Sequence, residues 1–232
     1  ITNSMLSAIA PEIKQKLGCP VVCNLQGEDS FVDSMPEKYA DKVRNLMRKN
    51  AKEINLFISP SENYAQQMTS YLDIPSEKIA VVPPGIEYGE YKRKSAKSNS
   101  DFVIGYLSVI TPVKGLDLLI KAAAQLSDMG MNDFRLRVAG KILNNEYFDI
   151  VLENIKAAGL QDRFEHLGEV DLENKIRFLN SCSVFVLPSR NNASRGIAVM
   201  EAMANSLPVA LPDSGIFPEL DGKAGAGLLF TP

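Results

Sequence analysis

The sequence has 232 residues, with 25 Lys and Arg against 28 Asp and Glu and a formal net charge of −3. Apolar residues at 45% and charged residues at 23% exclude a disordered or fibrous chain. A nucleic-acid binder usually carries a basic face, so the slightly negative charge argues against that class. No apolar run reaches the roughly 18 residues that a membrane-spanning helix needs. One His and three Cys without CxxC spacing argue against a metal site and fit reduced thiols in a cytosolic protein.

The first half of the chain alternates amphipathic runs with short apolar runs. Gly18 is a common type of helix stop, and Tyr39, Val43, Leu46 and Met47 are spaced as on one helix face. The chain opens inside the first predicted helix, and we expect it to be a piece of a longer protein. The pattern predicts helices at 3–18, 37–52 and 61–72 and strands at 20–26, 54–59 and 79–83.

A polar stretch without periodicity interrupts this alternation at 85–101. Such composition is typical of segments between domains. We therefore predict a first domain at 1–88, a linker at 89–101 and a second domain at 102–232.

The second half returns to a cleaner alternation of strands and helices. It predicts strands at 102–108, 134–140, 164–168, 184–189, 207–211 and 227–230, with helices at 115–129, 145–158, 172–181 and 196–206. Short apolar strands that alternate with helices indicate βαβ units and a parallel sheet covered on both faces. The fold class is therefore α/β, with two Rossmann-like doubly wound parallel-sheet domains, both incomplete in this chain. Such sheets bind ligands beyond the carboxyl ends of their strands.

Lys114 and Gly115 follow the first strand of the second domain and open a helix. The N-terminus of a helix presents free N–H groups and a positive potential, which suits a phosphate. Lys114 would add a full charge there. The alternative is a helix-capping glycine beside a solvated lysine.

Glu201 stands out in the helix that follows the loop from Pro188 to Gly196, because its neighbours Met200 and Ala202 are apolar. An unpaired carboxylate in an apolar environment is costly. Glu201 either faces solvent or accepts hydrogen bonds from a ligand, for which the two vicinal hydroxyls of a ribose are natural donors.

Ser214 and Gly215 follow the next strand and precede a short helix. A glycine at this place allows the backbone to approach a ligand closely, although an ordinary turn has the same composition.

These segments together resemble glycosyltransferase family 4 (group 1), which has the GT-B fold. Five segments carry the resemblance, which covers nearly all of residues 20–232. They are Leu25-Gln-Gly-Glu-Asp29, Val82-Pro-Pro-Gly-Ile86, Lys114-Gly115 after Gly105-Tyr-Leu107, Gly196 with Glu201-Ala-Met-Ala204, and Gly215-Ile-Phe-Pro-Glu219.

The resemblance implies a retaining transferase that moves a hexose from a nucleotide-diphosphate sugar to an acceptor hydroxyl. It implies no metal and no cofactor apart from the nucleotide-sugar donor substrate. The partners would be that donor and a glycan or lipid-linked acceptor, with no nucleic acid, in polysaccharide or glycolipid synthesis. The protein would be cytoplasmic, with peripheral contact to the inner face of a membrane left open. The resemblance does not indicate an oligomeric state.

The resemblance also implies site residues. Lys114 would neutralise the departing diphosphate, Arg195 would assist it, and Glu201 would hold the ribose. On the acceptor side, Glu28 and Asp29 would face the acceptor, although caps of a helix or turn are an equal reading of this pair. The expected donor-binding residues are Gly168, Glu169, Val170, Ser189, Gly196, Gly215 and Ile216.

Two positions depart from the family pattern. Val109 stands where the family usually has an Arg that contacts the diphosphate, and Ala193 stands where it has a Glu that contacts the donor sugar. Arg195, Asn192 and Arg190 are candidates to compensate. A catalytically degenerate protein that binds nucleotide or glycan is therefore the alternative function. A GT-B epimerase ranks below both, because it should show more catalytic carboxylates and histidines, and we expect His166 to be a strand residue.

Overall fold

The computed structural model describes residues 1–91 and 102–231, and it divides into two compact units. The first unit contains Ile1–Gly85 with Ala193–Arg195, and the second contains Ile86–Asn192 with Gly196–Pro232. A 3-10 helix at Tyr88–Tyr91 belongs to the second unit, although the sequence placed these residues around the end of the first domain and the start of the linker. The rest of the predicted linker, 92–101, lies outside the described residues.

The first unit is built on a three-stranded parallel sheet. Its strands β1, β2 and β3 lie in that order, with Cys23 beside Phe57 and Phe57 beside Ile79. The strands are β1 (Val22–Asn24), β2 (Leu56–Ser59) and β3 (Ile79–Val81). The helices are α1 (Ala10–Leu17), α2 (Glu28–Asp33), α3 (Glu37–Ala51) and α4 (Glu62–Leu72), with 3-10 helices at Ser4–Ile9 and Ser76–Lys78.

Local sequence signals set the ends of these helices. The Ser61 side chain accepts a hydrogen bond from the Tyr64 N–H and caps α4, as a serine at this position should. Gly18 adopts a left-handed conformation at φ 62° and ends α1. The helix predicted at 3–18 is divided into a 3-10 helix and α1, because Pro11 has no N–H to donate and fits only the first turn of a new helix.

The second unit contains a six-stranded sheet in which every pairing is parallel. Its strands are β4 (Phe102–Leu107), β5 (Phe134–Ala139), β6 (Phe164–His166), β7 (Val184–Val186), β8 (Val209–Pro212) and β9 (Gly227–Phe230). The helices are α5 (Leu116–Asp128), α6 (Asn145–Ala157), α7 (Leu172–Ser181), α8 (Ile197–Ala204) and α9 (Phe217–Ala224). Short 3-10 helices lie at Pro112–Lys114 and Gln161–Arg163.

The order of strands across this sheet is β6-β5-β4-β7-β8-β9, the doubly wound order predicted from the alternation. The chain adds strands in one direction from β4 and in the other from β7. A crevice for a ligand is expected where the direction reverses, beyond the carboxyl ends of these two strands. Fully buried side chains from adjacent strands, Tyr106 on β4 and Phe185 on β7, lie in the core of this unit.

Most strands are shorter than predicted, and backbone chemistry accounts for the two largest differences in the second unit. β7 ends at Val186, two residues before Pro188, which has no N–H to offer to a neighbouring strand. β6 ends at His166, because Gly168 turns the chain with φ 71°. Within residues 1–91 and 102–231, no helix has the length and apolar character that crossing a bilayer requires.

Replacing Phe185 by Ala tests the core of the second unit. Phe185 is fully buried on β7, and emptying such a site should lower the free energy of unfolding by about 3–5 kcal/mol. Phe102→Ala is the matched control on β4, where the ring is 50% exposed, and it should cost about 1 kcal/mol or less. Chemical denaturation measures both values. Equal losses for the two variants would contradict this description of the core.

Candidate functional site

The turn that carries Lys114 lies directly after β4, at the expected end of the sheet. A 3-10 helix at Pro112–Lys114 leads into α5 through Gly115, which has φ 71°. A Cβ atom at Gly115 would lie 1.9 Å from the carbonyl oxygen of Pro188, in the loop after β7. Only glycine therefore allows the loops after β4 and β7 to approach this closely.

Arg190 joins these two loops through a buried carboxylate at the start of α5. Its Nη1 and Nη2 atoms donate to the two oxygens of Asp117 at 2.8 and 2.6 Å, and the Tyr147 hydroxyl donates to Oδ1 at 2.6 Å. The Arg190 guanidinium and the Tyr147 hydroxyl hold the pKa of Asp117 at about 2, below its usual 3.8, although burial acts in the opposite direction. This bidentate pair is a strong, charge-assisted contact.

The same arginine also fixes the turn that presents Lys114. Arg190 donates from Nη1 to the Pro112 carbonyl at 2.6 Å and from its backbone N–H to the Val113 carbonyl at 2.8 Å. The Tyr106 hydroxyl donates to the Lys114 carbonyl at 3.3 Å. All three carbonyls of the 3-10 turn are thus bonded. Arg190, proposed from the sequence as a compensating cation for phosphate, is instead bound to Asp117 and this turn.

A cavity of about 310 Å³ opens at the carboxyl ends of the strands, and Lys114 is not among the residues that line it. It brings together predicted site residues that are distant in the sequence, Glu169, Val170 and Glu201, together with Val109. Gly140 also lines it with φ 144°, and a Cβ atom there would lie 1.7 Å from the Ser108 carbonyl oxygen. The remaining lining residues are Leu107, Ser108, Lys141, Lys175, Ile197 and Ala198.

Glu201 is buried in the wall of this cavity, with 5% of its surface exposed. Its Oε1 atom accepts from the Tyr91 hydroxyl at 2.7 Å and from Lys175 Nζ at 2.6 Å. Burial raises the pKa of the Tyr91 hydroxyl, and the hydrogen bond to the Glu201 carboxylate raises it further. Glu201 therefore does not face solvent, and it does not need a ligand to supply all of its hydrogen bonds. The protein supplies two donors, Tyr91 and Lys175, that could not be predicted from the sequence.

The other residues predicted on the donor side do not line this cavity. The Gly168 carbonyl accepts from the Gly140 N–H at 2.8 Å, and the buried Ser189 donates from Oγ to Asn191 Oδ1 at 2.6 Å. Gly196 begins α8 at φ 62°, where a Cβ atom would lie 2.7 Å from a methyl of Leu220. Gly215 and Ile216 are buried ahead of α9, with φ 59° at the glycine.

Glu28 and Asp29 lie in the first turn of α2, in the first unit, and both are buried. Glu28 accepts from the backbone N–H groups of Ser4 and Gln26 at 2.9 and 2.7 Å and from the Ser4 hydroxyl. Asp29 accepts from the Tyr64 hydroxyl and from Gln67 Nε2, both at 2.6 Å. The role of this pair toward an acceptor stays a prediction, and both carboxylates already stabilise their own unit.

Arg195 is exposed and belongs, with Ala193 and Ser194, to the first unit. Lys114 is half-buried and belongs to the second unit, as does Glu201. His166 lies in β6, as predicted, with Nε2 3.0 Å from the Gly140 carbonyl. Among residues 1–91 and 102–231, no group of three or more His, Cys, Asp or Glu side chains is arranged to hold a metal ion.

Four residues of the site were missed by the sequence analysis, namely Tyr91, Lys175, Asp117 and Tyr147. Asp117, two residues after Gly115, fits the acidic preference of a first helical turn and gave no sign of its partner. Tyr91 and Glu201 are 110 residues apart, and only the folded chain pairs them.

Comparison with known proteins places the chain among sugar transferases. The profile described as "Glycosyl transferases group 1" matches residues 87–232, and that described as "Glycosyltransferase Family 4" matches residues 2–89. The chain is 24% identical over 188 residues to the D-inositol 3-phosphate glycosyltransferase of Nocardia farcinica, covering 76% of this chain and 42% of that protein. It is 31% identical over 129 residues to a lipopolysaccharide core biosynthesis mannosyltransferase of Rhizobium leguminosarum. This match covers 53% of this chain and 35% of that protein.

Solved structures agree on the fold. The crystal structure of Anabaena HepE in complex with UDP and glucose superposes with a TM-score of 0.83 at 21% identity. The match covers 99% of this chain and 62% of that one. The chain thus spans less than two thirds of each of these three relatives.

Removing the Arg190 guanidinium should lower the free energy of unfolding, and the loss should depend on pH. Because the pKa of Asp117 falls from 3.8 to about 2 on folding, the pair contributes fully above pH 3.8 and its contribution is lost as the pH falls through 2. Allowing for the half-exposed arginine, Arg190→Met should cost about 1–2 kcal/mol at pH 7 and about half of that at pH 3. Urea unfolding at both pH values measures the difference.

Arg177→Met is the control, since Arg177 pairs with Glu173 on the exposed face of α7. Its cost should stay below about 0.5 kcal/mol at either pH. An Arg190→Met penalty that is the same at pH 3 as at pH 7 would contradict the assignment of the pair.

Proposed function

The chain belongs to the group 1 glycosyltransferases, and from this premise we propose that the protein of which it is part transfers a hexose from a nucleotide-diphosphate sugar to an acceptor hydroxyl. The reaction proceeds with retention at the sugar and needs no metal ion. The observation that carries the proposal is Glu201, a buried carboxylate in the wall of a cavity at the carboxyl ends of the parallel strands. Ligands of doubly wound sheets bind at this place.

The cavity beside Glu201 supports binding of a nucleoside. Its volume of about 310 Å³ falls at the lower end of the range for small-molecule sites, about 300–1,000 Å³. Val170 gives it apolar surface for a base, and Glu201 gives it an acceptor for ribose hydroxyls. The chemical match is a flat ring on one side and vicinal hydroxyls on the other.

Positive potential for the diphosphate comes from Lys114 and from backbone N–H groups. Lys114 stands at the start of α5, on a turn whose three carbonyls are all held. A cation beside the leaving phosphate stabilises the charge that develops there more than it stabilises the bound donor, and this difference accelerates transfer. Gly215 and Ile216, ahead of α9, add N–H groups at a helix start.

We place the acceptor on the side of the first unit, with Glu28 and Asp29 and with Arg195 assisting the leaving group. The relatives include a lipopolysaccharide core mannosyltransferase, which supports synthesis of a polysaccharide or glycolipid. A glycan or lipid-linked acceptor in the cytoplasm, at most at a membrane surface, fits this role.

A second candidate is a nucleotide-binding protein with little turnover. Val109 lines the cavity where the family resemblance leads one to expect an arginine, and it is 41% exposed there. Ala193 likewise replaces an expected carboxylate. Both changes remove groups that would hold the donor, and neither removes Glu201 or Lys114.

Calorimetry with UDP, GDP and ADP tests nucleotide binding. Glu201→Ala should weaken binding of the preferred nucleotide by about 1.5–3 kcal/mol, the usual loss for a charge-assisted hydrogen bond. Titrations in EDTA and in magnesium should agree, because Lys114 and the helix starts supply the positive charge. Glu173→Ala, an exposed carboxylate on α7, is the control. Affinity that is unchanged in Glu201→Ala would remove Glu201 from the site.

Introducing the arginine and the glutamate that the family pattern has at positions 109 and 193 distinguishes a weakened transferase from a nucleotide-binding protein. If the protein is a weakened transferase, Val109→Arg with Ala193→Glu should raise hydrolysis or transfer of UDP- or GDP-hexoses by the full-length protein. The gain should exceed the sum of the single variants' effects, since both groups hold one donor. A double variant that folds and binds nucleotide without any gain would count against a weakened enzyme.

A further inference from the structure

Glu201 is held at one of its two oxygens only. The Tyr91 hydroxyl and Lys175 Nζ both donate to Oε1, at 2.7 and 2.6 Å. Within residues 1–91 and 102–231, no donor reaches Oε2. The carboxylate thus has one oxygen fully occupied by the protein and one that can accept from a ligand in the cavity that Glu201 lines.

Burial makes the two protein donors necessary. Glu201 is 5% exposed and Tyr91 is 4% exposed, while the Lys175 side chain keeps 23% of its surface. A carboxylate this far from water keeps its charge only when a cation and hydrogen bonds compensate for the lost hydration. Lys175 supplies the cation, and Tyr91 supplies the second bond.

The two donors also fix the direction of the carboxylate. Tyr91 comes from the 3-10 helix at Tyr88–Tyr91, Lys175 from α7 and Glu201 from α8. The terminal torsion of a glutamate is broad and soft when nothing holds it. Two bonds from different elements to the same oxygen restrict that torsion and so set where Oε2 points.

On the basis of the proposed function, we propose that Tyr91 and Lys175 are positioning residues that make this site select ribose over deoxyribose. By holding Oε1, they present Oε2 as an oriented acceptor to a ribose hydroxyl. A ligand that lacks this hydroxyl leaves a buried charged oxygen without its donor, which is the strongest available form of discrimination. Without Tyr91 or Lys175 the carboxylate is free to turn, and the preference for ribose falls.

The test compares ribose with deoxyribose in matched variants of the full-length protein. The probes are whichever of UDP, GDP and ADP binds best, with its 2′-deoxy and 3′-deoxy analogues. The quantity measured is the ratio of dissociation constants between analogue and ribonucleotide. The variants are Tyr91→Phe, Lys175→Met and Lys175→Arg. The controls are Tyr88→Phe, an exposed tyrosine on the same 3-10 helix, and Arg177→Met, an exposed cation on α7.

We expect at least one analogue to bind wild type about tenfold or more weakly than the ribonucleotide. Tyr91→Phe and Lys175→Met should reduce this ratio to about threefold or less. Lys175→Arg should retain most of it, and both controls should retain all of it. A merely structural role would weaken ribo- and deoxyribonucleotides alike and leave the ratio unchanged.

The outcomes separate this inference from the proposed function. Wild-type protein that binds no nucleotide overturns both. Wild-type protein that binds the nucleotide and both analogues equally overturns the inference alone, and so does a ratio that survives in Tyr91→Phe and Lys175→Met. Thermal unfolding of each variant shows whether it is folded, and Tyr91→Phe, which removes a single hydroxyl, decides the question if Lys175→Met does not fold.

Discussion

The reversal of strand order between β4 and β7 is the constraint on which the candidate site depends. At this point the sheet of the second unit grows in opposite directions, so the loops after the two strands start side by side and then lead away from each other. Gly115 allows the two loops to approach closely, because a side chain there would collide with the Pro188 carbonyl. Gly140 allows a second close approach, to Ser108 at the end of β4. The cavity lies beyond the carboxyl ends of these strands, and the Lys114 turn is in the loop that follows β4.

Two buried carboxylates make this edge rigid, and each is compensated in its own way. Asp117 takes a bidentate arginine from the loop after β7, and the same arginine bonds two carbonyls of the Lys114 turn. Glu201 takes a lysine and a tyrosine hydroxyl, both on one oxygen. The first arrangement uses both carboxylate oxygens and holds the loop after β7 to the start of α5. In the second, both donors reach the same oxygen, and this difference is the basis for proposing that the other oxygen accepts from a ligand.

The sequence predicted the order of elements well because each depends on local pattern. Apolar runs gave the strands, helical spacing gave α3, and Gly18 and Ser61 marked helix ends correctly. An isolated carboxylate in an apolar helix also identified Glu201 as a residue in need of partners. The partners themselves could not be predicted, since Tyr91 and Lys175 are ordinary surface-type residues until the fold buries them. The partner of Arg190 could not be predicted for the same reason, because Asp117 lies 73 residues away.

Backbone NMR of the protein titrated with UDP and with GDP tests the central claim, that the cavity beside Glu201 holds a nucleotide. The account predicts saturable shifts that are largest for the amides of Val109, Gly140, Val170 and Ala198, which line the cavity. A separate apolar groove of about 860 Å³ offers the comparison, since it is lined by residues such as Leu118, Val186 and Phe230. Saturable shifts centred on that groove, with the cavity amides unmoved, would contradict the account.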